Sequence, residues 1–262
     1  MHRPTKTIGV LGGMGSAATV DFYRRLIEST AVTQDQDHLH ILIDNNPLVP
    51  DRTAFLLGRG EDPTPTLIEM ARGLTKAGAE LLIMACNTAS AFVPQVAASV
   101  AVPLLNWVEE ASIGVASNQP SLRKIGLLAT TGTVMSNMYQ RALALQGISV
   151  VVPSQPMQEQ VMDAIYGKCG VKAGNTNLQL ARHLIDAVGI YLQELGVEGI
   201  LLACTELSLL YASQTPSWFL PTFDAAQIVA ERVVTLAGGS LKLTQLPTRN
   251  LELEVRLEAL AS

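Results

Sequence analysis

Two cysteines stand where a thiol could serve as both acid and base. Residues 79–90 read Ala-Glu-Leu-Leu-Ile-Met-Ala-Cys-Asn-Thr-Ala-Ser, and residues 197–208 read Val-Glu-Gly-Ile-Leu-Leu-Ala-Cys-Thr-Glu-Leu-Ser. Each copy is a short apolar run that ends in Ala-Cys and continues with hydroxyl, amide or acid side chains. Cys86 and Cys204 lie 118 positions apart. A cysteine that closes a strand and precedes a helix sits near the positive end of the helix macrodipole. That placement can lower a thiol pKa from about 8.5 to about 3.5–7.5. The backbone N–H groups of Asn87 and Thr88, and of Thr205 and Glu206, are then free to receive an anion. One thiolate facing a cleft could remove a proton from one side of a carbon while a thiol opposite returns one to the other side. That inverts a stereocentre without a cofactor. The competing reading is a pair of core residues, since cysteine is among the most often buried types. The matched polar residues after both cysteines favour chemistry; Cys169 has no counterpart and reads as inert.

Such a reaction needs cations for an acidic substrate. Arg52 lies in the run Asn46-Pro-Leu-Val-Pro-Asp-Arg-Thr53, read as a loop, and its planar fork suits a carboxylate. Lys172, in Val171-Lys-Ala-Gly-Asn175, follows 120 positions later, so each half of the chain could supply one cation. For either residue alone the plain alternative is a solvated surface charge. Turns at Gly12-Gly-Met-Gly15 and Thr130-Thr-Gly-Thr133 end the first strand of each half and offer backbone donors. The first also satisfies Gly-x-Gly-x-x-Ala, and Asp44 ends the next strand, so a dinucleotide site is a rival. The second turn lacks that motif. A turn that cradles a carboxylate accounts for both copies, whereas a pyrophosphate turn accounts for one.

The elements that must carry these residues repeat as well. Gly78 and Gly196, and Pro103 and Pro221, keep the offset of 118, and the apolar runs 8–11 and 125–128 differ by 117. The pattern predicts strands at 7–11, 40–44, 81–85 and 103–106, then 125–129, 149–152, 200–203 and 219–224. Helices are expected from 16 or 19 to 27, at 66–76, after 87, and at 139–146, 157–166, 178–195 and 225–236. Strands alternating with helices imply parallel sheets and βαβ crossovers, with ligands outside the carboxyl ends of the strands. The run 251–258 reads equally as strand or helix, and the tail from 238 receives no role.

Composition narrows the classes. The chain has 262 residues, 48% hydrophobic and 16% charged, enough for one large domain or two smaller ones. Its formal net charge of −5 gives no basic field for nucleic acid or an anionic membrane. The run 8–11 is too short for the apolar part of a signal peptide, and no stretch has transmembrane length. Three widely spaced cysteines fit a reducing cytoplasm better than a disulfide scaffold. The four histidines form no zinc spacing, so no metal is expected.

The segments Ile8-Gly-Val-Leu-Gly-Gly-Met-Gly15, Asn45-Asn-Pro-Leu-Val-Pro-Asp-Arg-Thr53, Cys86-Asn-Thr88, Leu127-Leu-Ala-Thr-Thr-Gly-Thr133, Val171-Lys-Ala-Gly-Asn175 and Cys204-Thr-Glu206 together carry a resemblance. Over residues 6–237 the chain resembles the aspartate/glutamate racemase superfamily, and within it the cofactor-independent aspartate racemases. The resemblance implies an α/β fold of two similar domains related by a pseudo-two-fold axis. Each has a central four-stranded parallel sheet flanked by helices, with the active site in the cleft between them. It divides the chain into 1–104 with 222–262, and 105–221. It implies Cys86 and Cys204 as the acid/base thiols, Arg52 on the distal carboxylate and Lys172 as its partner. Met14, Asn87, Thr88, Thr131 and Thr205 would hold the α-carboxylate and amino group. No cofactor, L- and D-aspartate as the small-molecule substrate with glutamate second, and a homodimer are the further expectations. Another reaction of the superfamily, a dinucleotide-dependent oxidoreductase and a non-catalytic amino-acid sensor stay open at this point.

Overall fold

The structure, a computed structural model, describes residues 5–175 and 178–242. The run 251–258 therefore lies outside the described residues. The first half begins with β1 (Ile8–Gly12), α1 (Ser16–Ser29), β2 (Ile41–Asn45), α2 (Arg52–Leu56) and α3 (Thr64–Lys76). It continues through β3 (Leu81–Met84), a 3-10 turn Thr88–Phe92, α4 (Val93–Ala97), β4 (Leu104–Leu105) and α5 (Trp107–Asn118). The second half runs β5 (Lys124–Leu128), α6 (Thr131–Met135), α7 (Met138–Ala144), β6 (Ser149–Val151), α8 (Gln155–Tyr166) and a 3-10 turn Val171–Ala173. It closes with α9 (Gln179–Glu194), β7 (Gly199–Leu202), α10 (Thr205–Leu210), β8 (Thr222–Asp224) and α11 (Ala225–Leu236).

The repeat read from the offsets is a repeat of topology. One parallel sheet has the order β2-β1-β3-β4 and the other β6-β5-β7-β8. Ile8 pairs with Ile41 on one side and Leu81 on the other, as Ile125 pairs with Val150 and Gly199. Strands β1, β3 and β7 are buried along their whole length. They read as unbroken apolar runs because helices cover both faces of a parallel sheet. Cys86 and Cys204 each follow the strand next to the central one, at its carboxyl end.

Three features differ from the sequence reading. Helix α5 was not foreseen. Its buried residues Trp107, Val108, Ala111, Ser112, Gly114 and Val115 form one face, but that face includes Ser112 and Gly114 while Ile113 and Ala116 lie off it, so the sequence shows no clean apolar stripe. It lies against α11 so closely that a Cβ on Gly114 would stand 2.1 Å from Ile228 Cγ2. Arg52 does not sit in a loop but opens α2, where the Asp51 carboxylate accepts from Ala54 N at 2.7 Å. Likewise Thr130 is the N-cap of α6 rather than part of a free turn, its hydroxyl accepting from Thr133 N.

Helices α1, α5, α7 and α11 merge into one core that contains Phe22, Leu26, Trp107, Tyr139 and Val229. A buried ion network reinforces it. Arg25 in α1 donates to Asp21 at 2.6 Å and to Asp224 at 3.0 Å. Asp224 in turn caps α11 through Ala226 N and accepts from Ser208 Oγ in α10 at 2.6 Å. Removing one partner leaves a buried charge without its counterion, which costs about 3–5 kcal/mol. Arg25→Leu is therefore expected to lower unfolding free energy by about that much in urea titrations. Arg24→Ala is expected to change it by less than about 1 kcal/mol, because Arg24 is itself exposed and Asp21, its buried partner, keeps Arg25.

Candidate active site

The turn between β1 and α1 is held tightly. Gly13 has φ of +89°, and a Cβ there would meet the Asn46 backbone oxygen at 2.2 Å. Its N–H donates to Thr19 Oγ1 at 2.9 Å. This geometry aims the carbonyl of buried Met14 at both cations. Arg52 Nη2 donates to it at 3.1 Å and Lys172 Nζ at 2.9 Å. A methyl on Gly15 would stand 3.4 Å from the Glu206 carboxylate and 3.9 Å from Lys172 Nζ, so this ion pair lies directly against the turn.

Cys86 and Cys204 line one small cavity together with Met14, Arg52, Lys172 and Glu206. Asn87, Thr88, Thr205, Thr130 and Tyr166 complete its wall. All the sequence-predicted residues meet there except Thr131. That residue faces α8: its N–H donates to Met162 Sδ at 3.2 Å and its hydroxyl accepts from Gln158 at 3.3 Å. Thr130 takes the inward place. Its hydroxyl joins those of Thr88, Thr133 and Thr53 at 2.9–3.2 Å in a cluster spanning both halves. The preference of threonine for helix N-caps is the signal that points to position 130.

Arg52 is buried, and three of its five N–H donors are spent on carbonyls: Nη1 on Val49 and Pro50, Nη2 on Met14. Nε–H and one Nη2–H are left for a ligand, and Nε has no hydrogen-bond partner. Burial works against the guanidinium charge. The neighbouring Cys86, Asp51 and Tyr166 outweigh it, so its pKa lies above the ordinary value. Asn87 Nδ2 is the second buried donor of this cavity without a partner. Its orientation follows from Tyr139. Complete burial raises that phenol well above its ordinary pKa, so Tyr139 remains an O–H donor and takes the amide oxygen of Asn87. The Asn87 NH2 group is thereby left for the cavity. Tyr139→Phe removes the latch and leaves a buried amide oxygen unpaired, at about 1–3 kcal/mol. The expected result is a roughly tenfold drop in kcat/KM with an intact circular dichroism spectrum, since about 1.4 kcal/mol is tenfold in rate.

Glu206, for which the sequence reading offered a backbone N–H but no side-chain role, joins the cation to the second thiol. Lys172 Nζ donates to Oε1 at 2.7 Å, while Cys204 Sγ at 3.0 Å and Thr205 Oγ1 at 3.2 Å donate to Oε2. Burial opposes both charges of the ion pair. Their mutual attraction prevails, placing the Lys172 pKa above and the Glu206 pKa below the ordinary ranges. The lowered thiol pKa expected at a helix start does not hold for Cys204. Burial, followed by the Glu206 charge, pushes it well up, and Lys172 together with the six-residue α10 does not compensate. Tyr166, also missed, closes α8. Its hydroxyl donates to Asp51 at 3.0 Å, and Lys172 Nζ lies 5.5 Å from its ring centre.

The cavity measures about 10 Å³, room for little more than a water. Met14, Arg52, Lys172 and Glu206 also form the inner wall of an open pocket of about 490 Å³ beside the first helix turn. Among the described residues no group of three or more His, Cys, Asp or Glu could hold a metal ion. No helix among them is long and apolar enough to cross a membrane.

Residues 11–233 match the family model described as Asp/Glu/Hydantoin racemase. The chain belongs to that family. An aspartate racemase of Picrophilus torridus is similar in structure, with a TM-score of 0.77 and 29% identity over 90% of this chain and 96% of that one. A broad specificity amino-acid racemase of Bacillus subtilis is 28% identical over 55% of this chain and 63% of its own length. A glutamate racemase of Thermus thermophilus is 27% identical over 89% of this chain and 80% of its own length. The dinucleotide motif at Gly13 thus belongs to a racemase turn.

Proposed function

We propose that this racemase interconverts L- and D-aspartate, with glutamate the weaker substrate, by a two-base mechanism that uses no pyridoxal phosphate. The observation that carries the reading is the joint placement of two thiols and two unspent buried donors, Arg52 Nε and Asn87 Nδ2, around one cavity. Buried donors without partners are uncommon and point to a missing acceptor. A carboxylate is the acceptor that this cationic, water-poor site suits best. The similarity to an aspartate racemase over nearly the whole chain supports the shorter dicarboxylate.

In this reading the substrate enters from the outer pocket and displaces Lys172 from the Met14 carbonyl. Arg52 and Lys172 take the side-chain carboxylate. Asn87, Thr88, Thr130 and Thr205 take the α-carboxylate and amino group. One sulfur, as thiolate, removes the α-proton: the Cα–H bond breaks and an S–H bond forms. The other thiol gives its proton to the opposite face. Charge that builds on the carboxylate in the carbanionic transition state meets fixed donors, which do not need to reorganise.

Chiral chromatography of L-aspartate and L-glutamate, each incubated with dialysed and chelated protein under reducing conditions, tests the proposal. D-aspartate is expected first, with glutamate converted more slowly. Faster conversion of glutamate would reverse the assignment of substrate, and no D-isomer from either would overturn the reading.

A further inference from the structure

We infer that Glu206 fixes the order in which the two thiols hold the proton, keeping Cys204 as the thiol and leaving Cys86 as the resting base. The inference rests on the two-thiol reading above and adds a positioning residue to it.

The geometry of Glu206 allows only one arrangement at rest. It is 3% exposed, and its Oε1 is held by Lys172 at 2.7 Å, which keeps the carboxylate ionised. An ionised carboxylate accepts hydrogen bonds and cannot donate them. The Cys204 sulfur 3.0 Å from Oε2 must therefore carry the proton of that bond. A thiolate there would set two anions side by side in a site that excludes water. The elevated thiol pKa agrees with this. Cys86 differs in having the positive Arg52 guanidinium, where Cys204 has a carboxylate, as its interacting partner. The titratable and charged groups facing Cys204 are Glu206, Lys172, Cys86, Arg52 and Tyr166, with Tyr139 deeper. Among these, Glu206 is the anion in direct contact.

One consequence concerns the two enantiomers. The one whose α-proton faces Cys86 needs Cys204 in the thiol form, which Glu206 holds. The other needs the opposite distribution, with Cys204 as thiolate, which Glu206 keeps scarce. Racemisation itself hides this asymmetry, because an equilibrium constant of one forces equal kcat/KM in both directions. Irreversible β-elimination from an aspartate with a leaving group on Cβ does not hide it, since each enantiomer then depends on its own base.

The test compares elimination from both enantiomers of such an analogue in wild type, Cys86→Ala and Glu206→Gln. Cys86→Ala identifies the enantiomer that Cys204 deprotonates, as the one whose elimination survives. In Glu206→Gln the kcat/KM ratio is expected to move toward that same enantiomer by about tenfold or more, the effect of one unit in thiol pKa. The ratio is an internal control for damage to the fold, which would slow both. An unchanged ratio, or one that moves the other way, would overturn the inference. Loss or survival of both enantiomers in Cys86→Ala would instead overturn the two-thiol reading. As a second measurement, Cys204 can be titrated as the sole thiol in Cys86→Ser/Cys169→Ser protein through the chemical shift of an isotope-labelled cysteine Cβ. Adding Glu206→Gln is expected to lower its midpoint by about one pH unit or more; no change or a rise would contradict the role given to Glu206.

Discussion

Cys86→Ala and Cys204→Ala are each expected to lower racemisation of aspartate by at least about 10³-fold, within the range that positioned acid–base groups contribute. Neither sulfur can replace the other, because each reaches one face of the α-carbon. The two losses should also be non-additive, since the double variant lacks nothing essential that either single variant retains. A finer result separates loss of chemistry from loss of structure. Each single variant keeps one thiol able to remove and return a proton on its own side. Exchange of the α-proton with deuterated solvent should therefore persist for one enantiomer in Cys86→Ala and for the other in Cys204→Ala. Robust turnover by either variant, measured by chiral chromatography, would contradict the two-base account. Cys169→Ala, at the exposed third cysteine, should leave turnover unchanged.

The second large effect is expected at Arg52, through both stability and activity. Its side chain joins the carbonyls of Val49, Pro50 and Met14, so it shapes the site as well as charging it. Arg52→Ala takes its donors from three carbonyls; that of Met14 keeps Lys172, while those of Val49 and Pro50 lose theirs, and a buried acceptor left unpaired costs about 1–3 kcal/mol. It also removes Nε–H and Nη2–H from the substrate. Two hydrogen bonds to a charged group, at about 1.5–3 kcal/mol each, correspond to about 10²–10⁴-fold in kcat/KM. Arg52→Lys should recover only a small part, because an ammonium keeps the charge but cannot span three carbonyls and a ligand at once. Steady-state kinetics with thermal unfolding of both variants reads the two effects separately. Activity of Arg52→Ala within tenfold of wild type would remove Arg52 from the site.

The parts of this molecule legible in its sequence are those where one cause dominates. Strands buried on both faces must be apolar throughout, so 7–11, 81–85, 125–129 and 200–203 stood out, and their spacing carried the repeat. The cysteines followed as the residues closing two such strands, and the cavity lined by both is where the repeat placed them. Elements with two competing causes were less legible. Helix α5 places Ser112 and Gly114 on its buried face and Ile113 and Ala116 off it, which blurs the amphipathic period. The short α2 and α6 are set by caps at Asp51 and Thr130 inside runs rich in Pro, Thr and Gly, which read as loop. Among site residues, Tyr166 and Glu206 depend on contacts between distant segments. Tyr166 reaches Asp51, 115 positions away, and Lys172 reaches Glu206 across 34. The state of Cys204 was misjudged for the same reason. The helix start is a local feature of sequence, but the degree of burial and the placement of the Glu206 carboxylate are tertiary.

The most direct measurement is racemisation of L-aspartate in deuterated water, stopped at low conversion and read by chiral separation with mass spectrometry. With one thiol removing protium and the other delivering a solvent-derived proton, the D-aspartate formed should carry deuterium at Cα from the first turnovers. The remaining L-aspartate should still carry protium. Deuterium appearing equally in both isomers would mean that a single base serves both faces, and would contradict the assignment of Cys86 and Cys204 to opposite sides of the substrate.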